Sequence, residues 1–312
     1  MTRHGGLVAV VGAALLWSTS FAVTKVVLDQ VGELTLGAIR FLAAAAVLAV
    51  VCAVTSQSLR GPVEDHRNAA ALGLVGISAY FILENYGVAM ATATDAALIV
   101  ASYPVITMLG EWIVLRSSPS ALMVVGAGVA FLGVFLVAYE RAPEPAPDRG
   151  WGILLLVIGG VVWAAYNMMS ARPASARTRQ RFGVLGTTTL QNLWGGVGFC
   201  VAALVLPQSA TSGVDGSSWV LVAYLALGCS ALAFLLYTFG LTTMRPAQAV
   251  ATLNLVPVFG VVWAVVIAGE QLTWVRVVGA VVIVAGVVMS TSSPRQPKTV
   301  GVLPEPRRTT KE

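Results

Sequence analysis

The sequence predicts an all-α membrane protein: ten transmembrane helices arranged as two inverted five-helix repeats around a central cavity. Three observations carry this reading. Of the 312 residues, 57% are hydrophobic and 11% charged, and the mean hydropathy is +0.83. Such a composition excludes a soluble globular domain and a disordered chain alike. The apolar residues gather into ten runs long enough to cross a bilayer, and the last five runs echo the first five at particular Gly, Pro and Trp positions.

A spanning helix needs about 20 mostly apolar residues, because each rises ~1.5 Å against a ~30 Å hydrocarbon core. The runs fall near 7–27, 34–55, 69–91, 95–115, 120–139, 151–170, 183–206, 218–243, 247–268 and 273–291. The first follows Arg3 and His4, as a signal sequence would, but its apolar stretch continues to Leu28, too long for a signal-peptide core. The chain then divides into a cytoplasmic N-terminus (1–6), a first five-helix repeat (7–139), an extracytoplasmic linker (140–150), a second five-helix repeat (151–291) and a disordered cytoplasmic tail (292–312). The polar connectors near 56–68, 171–181 and 207–217 are short, which leaves no soluble domain to carry a separate activity.

Charge placement gives orientation. With the N-terminus inside, fourteen Lys and Arg fall in cytoplasmic segments, and only Arg141 and Arg149 fall in outer loops. Both termini are therefore expected inside a bacterial-type inner membrane. Trp151, Trp219 and Trp274 then sit at the outer starts of their spans, as interfacial anchors do. The net charge of +5 and pI near 9.4 do not point to nucleic acid, because the basic residues sit in breaks between apolar runs. Cys52, Cys200 and Cys229 lie inside apolar runs and read as small packing residues, and the two histidines, His4 and His66, offer no metal or catalytic set. Neither a metal nor a cofactor is expected.

The repeat emerges when the chain is slid along itself. At an offset of 153, Tyr86-Gly87 falls on Phe239-Gly240, Pro104-Val105 on Pro257-Val258, and VVGAGVAFLGV (124–134) on VVGAVVIVAGV (277–287). At an offset of 146, Gly6 and Trp17 fall on Gly152 and Trp163. Five is an odd number of crossings, so the second half enters the membrane inverted. Inverted repeats build many secondary transporters, with substrate bound near the midplane between the halves. The alternative is a duplicated membrane scaffold that carries nothing.

The segment TATDAALIVASYPVITMLGEWIVL (92–115) resembles the repeat motif of the EamA family of drug/metabolite transporters. So does PAQAVATLNLVPVFGVVWAVVIAGEQLTWVRVVGAVVIVAGVV (246–288). GAALLWSTSFAVTKVVL (12–28) and AIRFLAAAAVL (38–48) are similar to that family's first two spans. Gly269-Glu270 keeps a pair with which the family often ends the ninth span, whereas the first half has Arg116-Ser117. The resemblance implies a ten-helix carrier with alternating access, a central cavity, peripheral fifth and tenth helices, and neither metal nor nucleotide. Family members handle diverse metabolites, amino acids among them.

Several residues could carry the chemistry. Glu84 lies ~12 Å inside the third span, at ~1.5 Å per residue. An ionised carboxylate there costs several kcal/mol unless it faces water or a partner, so Glu84 is the candidate for proton coupling or cation binding. Helix packing is the alternative. Tyr80 lies on the same face, Asn85 is adjacent, and the repeat partner of Glu84 is Tyr237. Trp17 and Trp163, with Ser20, Thr24, Tyr166 and Asn167 at helical spacing, could be aromatic plates in the cavity or ordinary packing. Asn254 is a lone amide in an apolar run and must find a partner. Pro104 and Pro257 interrupt repeat-related spans and are candidate hinges. Glu111 reads as an interfacial or structural acid. Lys25 and Arg40 read as snorkelling cations near Asp29 and Glu33.

The leading expectation is a secondary active transporter that exports small metabolites, amino acids or related amphipathic compounds. A non-transporting scaffold and an intramembrane enzyme are the other classes. No HExxH, GxGD or nucleophile with a neighbouring base favours an enzyme. The expected partners are a small-molecule substrate and membrane lipid, and the expected state is a monomer or weak homodimer.

Overall fold

A computed structural model describes residues 3–115, 120–139, 148–243, 249, 252–253 and 255–291. Asn254, Arg116, Ser117, the linker residues 140–147 and the tail 292–312 lie outside them, as does the side chain of Glu111. The described residues form α1 (Arg3–Leu28), α2 (Glu33–Val54), α3 (Val63–Met90), α4 (Ala93–Val100) and α5 (Tyr103–Leu115). They continue with α6 (Ala121–Tyr139), α7 (Arg149–Ser170), α8 (Pro173–Ala202), α9 (Gly216–Thr243), α10 (Leu255–Ala268) and α11 (Trp274–Thr291).

Five of these helices are long and apolar enough to cross a bilayer: α1, α2, α3, α7 and α9. The pair α4 and α5, bent by 40° at its break, makes a sixth if it is one span. The apolar parts of α6, α10 and α11 are shorter, and α8 begins with a polar, arginine-bearing stretch. Many large apolar side chains, including Val50, Val54, Val201 and Leu204, face outward. Water would penalise such a surface and lipid does not.

The helix ends follow local chemistry. Thr92 and Asp95 form a reciprocal capping box that starts α4. Asp215 caps α9, accepting the Ser218 amide at 2.7 Å and the Ser217 hydroxyl at 2.7 Å. Those donors hold its carboxyl down at about 2. Pro173 stands in the first turn of α8, where its missing N–H is not needed. Gly183, at φ 64° and ψ 179°, kinks α8 in a conformation that a side chain would oppose.

Three differences from the sequence reading are physical. The third span begins at Val63, not near 69, because an amphipathic turn (VEDHRNAAALG) extends it into the supposed connector. The stretch from Pro173 to Arg181 is likewise helical, as the start of α8. Pro104 does not interrupt a continuous helix. The chain breaks at Ala101-Ser102, and Pro104 is the second residue of α5, so the lost donor falls where no helical bond is required. Pro257 occupies the first turn of α10 in the same way.

The packing is paired. α1 lies against α10 and the C-terminal part of α9, and α7 lies against α4, α5 and the C-terminal part of α3. α2 packs on α8, and α6 on α11. Midway along α3 and α9 the backbone widens into π-helical turns, at Leu74–Ala79 and Leu225–Leu232. Wide turns of this kind interrupt α-helices frequently at functional sites.

The α6–α11 seam is backbone-tight. A Cβ on Gly286 would run into the backbone of Ala130 and stand 2.6 Å from the Gly126 carbonyl oxygen. Small residues permit this approach. Gly286→Leu is therefore expected to cost about 1–3 kcal/mol by overpacking, read as a lower melting point in detergent. Unchanged melting would show that the seam is not close-packed.

Candidate functional site

α1, α3, α4, α5, α7 and α10 line a small, partly open cavity of about 30 Å³. The two halves of the chain both contribute. Trp17, Ser20 and Phe21 come from α1, Tyr80, Phe81 and Glu84 from α3, and Val100, Tyr103 and Pro104 from the broken pair α4–α5. Trp163 comes from α7, Leu253 lies just before α10 and Val256 in its first turn.

Successive turns of one helix place each group. Trp17 and Ser20 stand three residues apart on α1, and Tyr80 and Glu84 stand four apart on α3, so each pair shares a face. The two indoles meet edge to face, with ring centroids 5.8 Å apart and planes at 88°. Such geometry matches the ring quadrupoles. The Trp17 indole N–H donates to the Cys229 carbonyl at 2.8 Å, in the wide turn of α9. Trp163 also packs against Tyr80, Tyr166, Phe234 and Tyr237.

Glu84 is buried against this aromatic wall, and its Oε1 has no hydrogen-bond partner among the described residues. Buried polar atoms are ordinarily paired, so an orphan in a cavity wall calls for a ligand, a proton or a water.

The structure gathers Trp17, Ser20, Tyr80, Glu84, Trp163 and Pro104 at the cavity. Tyr166, Asn167 and Tyr237 form a layer behind it. The Tyr237 hydroxyl donates to Asn167 Oδ1 at 2.7 Å, and Tyr166 donates to Gln191 Oε1 at 3.2 Å. Ser20 returns its hydroxyl to the Trp17 carbonyl at 2.8 Å, which leaves its oxygen as an acceptor. Asn85 turns away. Adjacent residues on a helix point about 100° apart, and its amide donates to the Glu33 carbonyl at 2.8 Å. Asn254 lies outside the described residues.

The two supposed snorkelling cations do something else. Lys25 Nζ donates to the carbonyls of Val88, Ala89 and Ala91 at 3.0, 3.0 and 2.9 Å, closing the C-terminus of α3. Unpaired carbonyls at a helix end attract a cation. Arg40 is fully buried and points inward, with Nε donating to the Ser230 hydroxyl at 2.6 Å. Its length would allow snorkelling, but the rotation of α2 against α8 and α9 turns it into the bundle.

A further charged cluster escaped the sequence reading. Asp95, fully buried at the start of α4, accepts from Arg149 Nε at 2.7 Å and Nη2 at 2.8 Å. Arg149 Nη2 also donates to the Val137 carbonyl at 2.8 Å, and Arg276 Nη2 stands 3.6 Å from Asp95. Glu270 accepts the amides of Ala93 and Thr94 at 2.6 and 2.9 Å, at the positive end of α4. These contacts tie the starts of α4, α7 and α11 at one end of the bundle. The sequence held one local signal, the Thr92–Asp95 capping spacing; the partners are far away in the chain.

Comparison with known proteins agrees with the fold. The chain is 25% identical over 297 residues to the uncharacterized transporter YyaM of Bacillus subtilis (strain 168), covering 93% of this chain and 95% of that one. It is 26% identical over 283 residues to a probable terminal-alkyne amino-acid exporter of Streptantibioticus cattleyicolor, covering 90% and 91%. The uncharacterized inner membrane transporter YedA of Escherichia coli (strain K12) is 24% identical, with 89% and 87% covered. A solved crystal structure superimposes with a TM-score of 0.65 at 21% identity, over 93% of this chain and 97% of the other, a likeness of fold. Residues 4–139 and 150–292 match the profile of the EamA-like transporter family. Two matched halves, a multi-pass apolar bundle and a cavity walled by both halves together place this chain in the EamA-like transporter family.

Proposed function

We propose that the protein is a secondary active transporter that exports small amphipathic metabolites, amino acids or related compounds, across a bacterial inner membrane by alternating access. It works as a monomer or weak homodimer with both termini cytoplasmic and carries out no catalytic step. Its ten spans form two inverted five-helix repeats, in which α4 with α5 is one span and α10 belongs to another.

Several findings support this architecture. Exchanging the halves maps the α1–α10 contact onto α7 with α4–α5, and the α1–α9 contact onto α7–α3, while α2–α8 and α6–α11 map onto themselves. The two wide turns and the two first-turn prolines fall at related places. The break before Pro104, where the Ser102 amide bonds back only three residues to Ile99, and the repeat-related Pro257 act as hinges.

The observation that carries the function is the cavity itself. Rings from both halves meet there around an orphaned carboxylate. The aromatic walls take the apolar part of the cargo, and Glu84 takes a proton or a cationic group. The relative named as an amino-acid exporter supports this class of cargo.

The test is flux of candidate metabolites into or out of proteoliposomes holding the purified protein, with and without a pH gradient. Wild type should give solute-specific flux, and none across a broad panel would refute transport in favour of a scaffold. Glu84→Gln keeps the shape but cannot titrate. It should fold yet lose at least tenfold of pH-gradient-driven flux, whereas wild-type flux across a pH series would make the carboxylate structural. C-terminal reporter fusions should be active only in the cytoplasmic format.

A further inference from the structure

Arg40 has more hydrogen-bonding capacity than its surroundings use. The side chain is fully buried in the bundle. Nε is fixed by the Ser230 hydroxyl at 2.6 Å, yet both Nη1 and Nη2 lack a partner among the described residues. The guanidinium carbon stands 4.8 Å from the Phe81 ring centroid and 5.1 Å from that of Phe41. Ring faces attract the positive charge but cannot accept the two N–H pairs in their plane.

The location matters as much as the deficit. Phe81, which packs against the guanidinium, is also a wall of the cavity, and so is Glu84, whose Oε1 is the other orphan. Arg40 and Glu84 form no direct ion pair. The acid stands in the cavity wall, and the guanidinium stands against Phe81, a ring of the same wall.

Resting on the transport reading above, we propose that Arg40 is the carboxylate receptor of the cavity. With Glu84 it selects cargo whose head group joins a carboxylate to an ammonium and whose tail is apolar. Nη1 and Nη2 form a planar fork that matches the two oxygens of a carboxylate. Glu84 accepts from the ammonium, and Trp17, Tyr80 and Trp163 cover the tail. Ser230, in the wide turn of α9, holds the fork in register, so recognition depends on the second half of the chain although Arg40 and Glu84 belong to the first.

Calorimetric binding of L-phenylalanine and L-phenylalaninamide to the full-length protein in detergent tests this. The amide keeps the ring and the ammonium and lacks only the carboxylate. Wild type should bind the acid at least about tenfold more tightly than the amide, a difference within the strength of a bidentate charged pair. Arg40→Gln should bring the two affinities within about twofold by weakening the acid alone. Arg40→Lys keeps the charge without the fork and should give an intermediate ratio. Glu84→Gln should weaken both probes and preserve their ratio.

A wild type that binds the two equally, or binds neither, overturns the proposal. So does an unchanged ratio in Arg40→Gln with wild-type melting. If that variant does not fold, an unchanged ratio in Arg40→Lys has the same force. The transport reading fails separately: it falls if no solute crosses proteoliposomes, even where acid-selective binding is present, and it stands if solutes cross without such selectivity.

Discussion

Replacing Asp95 by alanine is expected to lower the stability of the folded protein by about 3–5 kcal/mol, the usual result of removing one partner of a buried pair. Asp95 is fully buried and meets two nitrogens of Arg149 in a fork, with Arg276 at 3.6 Å. Its loss takes from the Arg149 guanidinium, 6% exposed, the carboxylate that meets two of its nitrogens. It also removes half of the capping box that starts α4. Thermal or denaturant unfolding in detergent reads the effect. Adding Arg149→Met should restore part of the loss, because an apolar pair can replace a buried ionic one at little cost. Arg276 still faces the vacated position, so recovery should be incomplete. Wild-type melting of Asp95→Ala would show that the cluster is solvated and contributes nothing.

Trp163→Ala should cost a similar amount, about 3–5 kcal/mol, as large-to-small core replacements of an aromatic ring do. The indole, 4% exposed, packs on five other rings, those of Trp17, Tyr80, Tyr166, Phe234 and Tyr237. Each such pair is worth about 0.5–1.5 kcal/mol beyond its area. Trp163→Phe keeps a ring and should cost clearly less. If Trp163 also walls the cargo site, the phenylalanine variant should retain its fold and still lose flux for the larger solutes. Equal melting of the alanine variant and wild type would mean that the cluster repacks.

The five helices long and apolar enough to cross a bilayer were legible because apolarity is a local property, summed over neighbours in the chain. Trp17 and Trp163 were legible as a pair because the repeat relates them, and the structure does bring their rings together at the cavity. Glu84 was legible from depth alone. What escaped was set by rotation and long-range contact. Whether Arg40 snorkels or points inward depends on how α2 turns against α8 and the wide turn of α9, and no local pattern encodes that. Asp95 finds Arg149 54 residues later, and Arg276 only at the start of α11. The wide turns of α3 and α9 left no mark in apolar periodicity, since both faces of those segments are apolar.

Lys25 has a consequence for how this chain tolerates sequence change. It joins α1 to the end of α3 through three backbone carbonyls and not through a carboxylate. Every residue type carries a backbone carbonyl. The clasp therefore depends on the path of the chain at Val88, Ala89 and Ala91 and not on the side chains those positions bear. Their substitution leaves the acceptors in place wherever the helix end keeps its course.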